Sequence, residues 1–175
     1  MEFGSVRPGR LPPRVMELVN ADEVECQAEV PAADVERFGA SLSSEQRAVV
    51  TDFNTDNVKF TAWPELVPLF PNLINISASG CELVEFPLAL CALPNLRTLS
   101  LPFKDFVAIP SEVSRLQQLE RLFLNGCTRL QRLPSSISSL TGLTKLDLEG
   151  CHQLPTECNV YFHGRVDAVQ GRLSR

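Results

Sequence analysis

The sequence has little of what nucleic-acid-binding and membrane proteins need. It carries 16 Lys and Arg against 21 Asp and Glu, a formal net charge of −5 at pH 7, so we expect no general electrostatic attraction to phosphate backbones and no nucleic-acid partner. It contains no run of 18 apolar residues, and its first 20 residues alternate Arg and Pro with short apolar patches. We therefore expect a soluble chain with no membrane partner and no general secretory signal.

Catalytic and metal-binding side chains are also scarce. His152 and His163 are the only histidines, and neither stands with a Ser or Cys in an activating pattern. The possible ligands Cys151, His152, Cys158 and His163 lack the C-x-x-C spacing typical of zinc sites, and apolar packing already accounts for that segment. A Gly-rich phosphate loop is absent as well. The sequence predicts a protein that is not an enzyme and holds neither a metal nor a cofactor.

The composition that remains is that of a folded globular chain. Of the 175 residues, 44% are hydrophobic and 21% charged, which is too apolar for disorder and fits one compact domain with an appendage. The opening Met-Glu-Phe-Gly-Ser reads like translated restriction sites. We interpret residues 1–5 as an expression scar and give them no part in the fold.

Leucine recurs with a fixed period through the middle of the chain. An apolar pattern that reads L-x-x-I-x-A in its first copy and L-x-x-L-x-L in the next three occurs four times, and successive copies are shifted by 23, 23 and 24 residues. A period of this length is that of leucine-rich repeats, whose stacked units share one core because no single unit can bury its apolar face. The repeated positions are Leu73, Ile76, Ala78; Leu96, Leu99, Leu101; Leu119, Leu122, Leu124; and Leu143, Leu146, Leu148.

Each repeat divides into a strand and a return segment. The last two apolar positions of L-x-x-L-x-L are two residues apart, so both face one side of a strand, and we predict parallel strands at 73–78, 96–101, 119–124 and 143–148. The segment P-x-x-V/I-x-x-L, as in Pro134 to Leu140, has an apolar step of three that is typical of a 3₁₀ or helical turn beginning at proline. That turn returns the chain along the convex side.

A further column of the repeat lies at the turn that follows each strand. Asn or Cys usually occupies this position and satisfies loop carbonyls. For Lys104 we expect the stem on the core edge and the ammonium in solvent. We expect the cysteines to be free thiols, because a disulfide between adjacent rungs would strain the backbone. The column consists of Cys81, Lys104, Cys127 and Cys151.

The region before the repeats has helical patterns. We predict helices at 14–19 and at 31–38, the second ended by Gly39 as its C′ residue. Ser43 and Gln46 have the spacing of a capping box for a third helix that runs into Val49 and Val50. Residues 6–49 are interpreted as an N-terminal helical cap, and 53–63 as a degraded first repeat within a repeat region of 50–154.

Past Leu154 the proline column fails, because Pro155 comes early and Cys158 stands where proline is expected. We predict one last strand at 160–162 and a helical face formed by Val166, Val169 and Leu173. Residues 155–175 are therefore interpreted as a short C-terminal cap.

The strand residues that face away from the core form the concave face, the surface with which repeat solenoids bind ligands. Its N-terminal half offers only Asn, Ser and Asp, whereas its C-terminal half places Phe123 beside Arg121, residue types that form interface hot spots. An equally weighted alternative is that Phe123 packs against Phe103 across the strands. The predicted partner-binding residues are Thr98, Phe103, Arg121, Phe123, Asn125, Lys145, Asp147 and Glu149.

Two strings of the sequence resemble known families. L-P-S-S-I-S-S-L-T-G-L-T-K-L-D-L-E-G-C resembles the plant-type leucine-rich repeats of intracellular disease-resistance receptors. The ending L-P-T-E-C-N-V-Y-F followed by V-D-A-V-Q-G-R-L resembles the closing unit of leucine-rich-repeat effectors that Gram-negative pathogens inject by type III secretion. The second likeness is carried by Leu154, Pro155, Cys158, Val160, Val169, Arg172 and Leu173.

These resemblances imply an α/β leucine-rich-repeat solenoid with a parallel sheet on its concave face. They imply a monomeric effector, or its repeat domain, that is secreted into the host cytoplasm and binds a host protein; a helical N-terminal cap is common in such effectors. The alternatives are the substrate-recognition domain of an effector ubiquitin ligase, whose catalytic domain has no room after Arg175, and a plant receptor fragment. A location in the cytoplasm of the producing organism also stays open.

Overall fold

The structure is a computed structural model that describes residues 29–30, 32–54, 59–60, 63, 70–79, 83–155 and 169–170. Short strands alternate with 3₁₀ helices, here called η, after two α-helices. In chain order the elements are β1 (Glu29–Val30), α1 (Ala32–Ser41), α2 (Ser44–Ala48), β2 (Asp52–Asn54), β3 (Lys59–Phe60), β4 (Asn75–Ser77), η1 (Leu88–Ala92), β5 (Thr98–Ser100), η2 (Ser111–Arg115), β6 (Arg121–Phe123), η3 (Ser135–Ser139), β7 (Lys145–Asp147) and β8 (Val169–Gln170).

The main sheet has six parallel strands in the order β2-β4-β5-β6-β7-β8. Paired residues lie one repeat apart in sequence, as in the register Leu99↔Leu122 and Leu122↔Leu146. Strands β4 to β7 occupy the middle three residues of the four predicted stretches, so those strand predictions are confirmed. The central residue of each strand is buried and its two neighbours face the opposite side, as a pleated strand requires.

The return segments are the predicted 3₁₀ helices. Each of η1, η2 and η3 begins directly after a proline of the repeat, Pro87, Pro110 or Pro134, whose φ is close to −70°. The carbonyl of Pro134 accepts a bond of 3.1 Å from the amide of Ile137, three residues on, and the other two turns have the same bond. The middle residue of each turn, for example Ile137, is buried in the shared core. Proline suits the start because its missing N–H has no partner to bind there.

The N-terminal elements differ in part from the prediction. Helix α1 runs to Ser41, so Gly39 is a buried residue inside the helix and is not its C′ residue. The helix ends two residues later because Ser43 starts α2 with a complete capping box, in which the Gln46 amide donates to Ser43 Oγ and the Ser43 amide to Gln46 Oε1. Helix α2 stops at Ala48, short of the predicted extent. The helix predicted at 14–19 lies outside the described residues.

Strand β2 lies where the degraded first repeat is expected to begin, and the extent of that repeat over 53–63 stays a prediction. Phe53 is buried and stands in register with Ile76 of β4, and Trp63 packs edge-to-face on it with 6.1 Å between ring centroids. A small parallel pairing of β1 with β3 was not predicted. Leu42 and Val50 join the same core as the repeats, whereas the role of residues 6–49 as a cap stays a prediction.

The structure has a strand at Val169–Gln170, where the sequence predicted a helical face. Val169 lies in strand β8, which extends the sheet beyond β7 with Leu146 opposite Val169. That partner is 23 residues earlier, so the period persists at this position although the proline column has ended. The free edge of β7 offers unpaired backbone groups that a further strand satisfies, which a helix could not do. The strand predicted at 160–162, Val166 and Leu173 lie outside the described residues.

A ladder of side-chain donors follows the strands. Lys104 Nζ donates to the Ser79 carbonyl at 2.8 Å, Cys127 Sγ to the Leu101 carbonyl at 3.4 Å, and Cys151 Sγ to the Leu124 carbonyl at 3.1 Å. The expectation that the Lys104 ammonium lies in solvent is wrong, because the residue is only 1% exposed. Its long stem carries the ammonium to a carbonyl one residue beyond Ala78, the repeat equivalent of Leu101 and Leu124, and a buried ammonium needs such acceptors.

The shared core makes a first prediction about stability. Leu122 is fully buried between Leu99 and Leu146 on the neighbouring rungs. We expect Leu122→Ala to lower the free energy of unfolding by about 2 to 5 kcal/mol, because a cavity opens between packed neighbours. The same substitution at the exposed Leu88 is the control and should change it by about 0.5 kcal/mol or less. Equal losses in urea unfolding of the two variants would contradict the assignment of Leu122 to the core.

The ladder makes a second prediction. Lys104→Met removes the ammonium that donates to the Ser79 carbonyl, and we expect a loss of about 1 to 3 kcal/mol in the free energy of unfolding. Lys145→Met is the matched control, because Lys145 is partly exposed on the sheet surface and should tolerate the change within about 0.5 kcal/mol. If both variants unfold at the same urea concentration, Lys104 does not stabilise the turn.

Candidate functional site: the concave face

The concave face is built from the two residues that flank the buried centre of each strand. Because the strands are parallel and in register, equivalent residues form continuous columns across the sheet. The first column is Asp52, Asn75, Thr98, Arg121 and Lys145, and the second is Asn54, Ser77, Ser100, Phe123 and Asp147.

The N-terminal half of this face is polar and bonded to itself. Asn75 Nδ2 donates to Asp52 Oδ1 at 2.8 Å, and Thr51 Oγ1 donates to the other oxygen of the same carboxylate at 2.7 Å. The rest of this half consists of short hydroxyl and amide side chains such as Ser77. The Asp52 carboxylate is bonded within the chain, and this half offers no large apolar area to a partner.

The C-terminal half brings a cation pair and an aromatic ring together. Arg121 and Lys145 are direct register partners on β6 and β7. Arg121 Nε donates to Thr98 Oγ1 at 3.1 Å, and Lys145 Nζ lies 4.9 Å from the centroid of the Phe123 ring, within the range of a cation–π contact. Arg121 is exposed, while Phe123 and Lys145 are half-buried. We call these three residues the Arg121–Phe123–Lys145 cluster.

Acidic side chains lie toward the carboxyl ends of the same strands. Asp147 is the register partner of Phe123, and its Oδ1 accepts a bond of 3.1 Å from the Glu149 amide. The Glu149 carbonyl in turn accepts a bond from the Gly126 amide at 2.6 Å. The concave face therefore changes from positive at the start of β6 and β7 to negative at their ends.

Phe103 stands apart from this cluster, on the loop after β5. It is 69% exposed and has a φ of 57°, the only positive φ of a non-glycine residue in the described part of the chain. Its amide donates to the Asn125 carbonyl at 2.8 Å, and its ring covers Gly126 so closely that a Cβ there would lie 2.3 Å from Phe103 Cδ1. Gly126 itself has a φ of 72°, so both its backbone and its neighbour require glycine.

The structure thus separates the predicted partner-binding residues into two groups. Thr98, Arg121, Phe123, Lys145 and Asp147 lie on adjacent strands of the sheet, and the remaining three lie on the loops at the strand ends. The sequence left open the alternative that Phe123 packs on Phe103. The ring pairs within the described residues do not include these two. Sequence reasoning missed the contact between Lys145 and Phe123, which the register of adjacent columns could have indicated. The loop group consists of Phe103, Asn125 and Glu149.

Of the three described cysteines, Cys91 and Cys151 have the properties of structural thiols, whereas the hydrogen bond with Cys151 lowers the pKa of Cys127. Cys91, Cys127 and Cys151 are free and buried. Burial, reinforced by Glu112, raises the pKa of the Cys91 thiol to about 11, and the hydrogen bond with Cys127 together with burial raises the pKa of Cys151. A thiol whose pKa lies far above neutrality stays protonated and is a poor nucleophile.

The described residues contain neither a cluster of metal ligands nor a membrane-spanning helix. No group of three or more His, Cys, Asp and Glu side chains is placed there to hold a metal ion. Cys158 and His163 of the possible zinc cluster fall outside the described residues. Among the helices that the structure describes, none is long and apolar enough to cross a membrane.

A second concavity lies on the flank of the solenoid, where the chain enters the strands. This cavity of about 420 Å³ is lined by polar residues that include Asn72, Arg97 and Gln118. Asn72 Nδ2 already donates to the Ala48 carbonyl at 2.9 Å, and Arg97 forms an ion pair with Glu120 at 2.9 Å. The charge of Arg97 in this cavity is therefore neutralised within the chain, unlike the charges of the Arg121–Phe123–Lys145 cluster.

Comparison of the sequence with protein-family models and with curated proteins finds no match. Comparison of the fold with solved structures finds a leucine-rich-repeat protein of Leptospira interrogans, with a TM-score of 0.56 and 22% identity over 68% of this chain and 36% of that one. An internalin of Listeria monocytogenes matches with a TM-score of 0.55 and 22% identity over 67% and 34% of the two chains. A plant peptide hormone receptor, RGFR1, solved in complex with RGF2, matches with a TM-score of 0.53 and 24% identity over 83% and 25%.

This chain spans about a third of the length of the first two proteins and a quarter of the third. What they share with it is the leucine-rich-repeat fold of stacked parallel strands. The chain therefore folds as an α/β leucine-rich-repeat solenoid.

Proposed function

We propose that the chain is a protein-binding module that recognises its partner through the C-terminal half of its concave face. The observation that carries this proposal is the Arg121–Phe123–Lys145 cluster, which places aromatic area and two cations on adjacent strands of a sheet whose other half is small and polar. Aromatic and Arg side chains supply most of the binding energy at protein interfaces, and solenoids present them on this face.

The cluster is held in place before any partner binds. Arg121 is tethered to Thr98 and Lys145 lies over the Phe123 ring, so both long side chains have lost part of their freedom. Interface side chains otherwise lose about 0.5 to 1.5 kcal/mol each when they become ordered on binding. A cluster that is already ordered keeps more of its contact energy as affinity.

Binding rather than catalysis is the function that the chemistry supports. The described thiols whose pKa values are raised are protonated at neutral pH, and His152 is exposed in a turn. The proposal therefore assigns no reaction to the chain, and it takes the binding unit to be a monomer.

We place this module in a bacterial effector that is injected by type III secretion and binds a host protein in the host cytoplasm. The support is the closing segment around Leu154, Pro155 and Cys158 together with the two helices that precede the first strand of the sheet. The test uses the native gene fused to a translocation reporter, compared in bacteria with and without a working secretion apparatus. Signal that does not depend on the apparatus contradicts the assignment.

The native reading frame separates this proposal from the two alternatives. A following helical domain with a catalytic Cys would make the chain the substrate-recognition part of a ubiquitin ligase. A preceding nucleotide-binding domain would make it part of a plant resistance receptor. Either finding would replace the effector assignment while leaving the concave-face proposal in place.

The binding proposal predicts the effect of one double substitution. Phe123→Ala with Arg121→Glu should weaken binding of the protein partner by more than about 2 kcal/mol, roughly thirtyfold in Kd, because it removes the aromatic anchor and reverses one charge. The control is Asn75→Ala with Ser77→Ala in the polar half of the same face. A partner is first isolated by affinity capture, and its Kd for each purified variant is then measured by calorimetry.

Neither substituted pair belongs to the buried columns, so the thermal midpoints should stay close to that of the parent chain. Equal losses of affinity in both variants, or a loss confined to the control, would place the site elsewhere on the molecule.

A further inference from the structure

The two cations of the Arg121–Phe123–Lys145 cluster face each other without a counter-charge. Like charges at directly opposed positions of neighbouring strands repel and destabilise the pairing. Within the residues that the structure describes, neither Arg121 nor Lys145 forms an ion pair, although Arg97 on the flank of the solenoid is paired with Glu120. This repulsion is relieved when an anion binds between the two side chains.

The donors of the cluster remain available for such an anion. Arg121 uses Nε in its bond to Thr98, which leaves the two Nη groups of the guanidinium fork for a ligand. Lys145 contacts the Phe123 ring with an ammonium that has three N–H donors, so a donor remains for an anion beside the ring. An Arg fork binds a carboxylate through two parallel hydrogen bonds, and a neighbouring ammonium adds a point charge.

We propose that the partner segment bound at this cluster is acidic. It carries an Asp or Glu whose carboxylate is bound by Arg121 and Lys145, and an adjacent apolar side chain that packs on Phe123. This inference rests on the proposed concave-face function and names the chemistry of the partner for that same site. The net charge of −5 does not prevent it, because fields from distant surface charges are screened beyond about 8 to 10 Å at physiological salt.

The surrounding charges give the segment a polarity. Asp147 and Glu149 lie toward the carboxyl ends of the strands, on the side of Phe123 away from the first column. A second acidic residue on that side of the apolar anchor is repelled, while a basic residue there is favoured. The bound segment therefore has its acid on one side of the apolar residue only.

The test is selection of a displayed library of random dodecapeptides on the full purified chain, with four versions of the chain as bait. These are the parent chain, Arg121→Glu with Lys145→Glu, Asp147→Lys with Glu149→Lys, and Phe123→Ala. We expect the parent chain to enrich peptides that carry Asp or Glu within two residues of an aromatic or aliphatic residue. The first variant should lose these peptides and enrich basic ones, whereas the second should keep the acidic preference.

Individual peptides are then measured by fluorescence anisotropy. For an acidic peptide selected on the parent chain, the charge-reversed Arg121→Glu/Lys145→Glu variant should bind on the order of tenfold or more weakly, and the parent Kd should rise with salt. Circular dichroism and thermal melts of all four chains show that each is folded. The Asp147→Lys/Glu149→Lys variant is the matched control, because it reverses the same number of charges on the same face.

The outcomes separate this inference from the function on which it rests. Acidic peptides that still bind the charge-reversed variant overturn the inference, as does a parent selection with no acidic excess. A parent selection with no acidic excess would enrich neutral peptides. If those peptides bind the parent chain but not Phe123→Ala, the concave-face function stands and only the acidic partner fails. If the parent chain enriches nothing over Phe123→Ala, both proposals fail.

Discussion

The structure depends on one constraint, which is that a single repeat cannot bury its own apolar residues. Each strand of the main repeats is three residues long and contributes one fully enclosed side chain, such as Leu122, which is covered by Leu99 and Leu146 on the two neighbouring rungs. The rungs are therefore stable only as a stack in register. The same constraint leaves the flanking strand residues outside the core, so they are free to carry charge and aromatic area without loss of packing.

The ladder of donors behind the strands shows how such a stack tolerates different residue types. Three rungs have a turn side chain that donates to a carbonyl of the preceding rung, and Cys127 and Cys151 do so with short side chains. Lys104 has a longer stem and donates to the Ser79 carbonyl, one residue beyond the equivalent position. What the three rungs share is a donor at the turn and not the identity of a residue. Because these three donors are bonded to backbone carbonyls, the ladder has a structural role and leaves the proposed recognition to the sheet.

Most of the fold was predictable because two periods coincide in the sequence. The step of 23 or 24 residues fixes which strands are neighbours, and the step of two within each strand fixes which side chains are buried. The prediction failed where a local pattern allowed two interpretations. Val166 and Val169 are three residues apart, which suits a helical face and equally the first half of L-x-x-L-x-L, and pairing with the open edge of β7 favours the strand. The prediction that Gly39 is a C′ residue was wrong for a similar reason, because a glycine near the end of a helix can also lie inside it.

The candidate site was predictable as a location but not as an electrostatic arrangement. Alternation along β6 and β7 places Arg121, Phe123 and Lys145 on one face, but it does not give the ion pair of Arg97 with Glu120 or the contact of Lys145 with the Phe123 ring. The two cations differ in the residue one repeat later, which is Glu120 for Arg97 and Lys145 for Arg121. Cations in adjacent columns of one solenoid thus acquire different roles through the neighbour that the repeat brings beside them. In a stacked fold, the residue one repeat away decides whether a surface charge stabilises the chain or remains available to a partner.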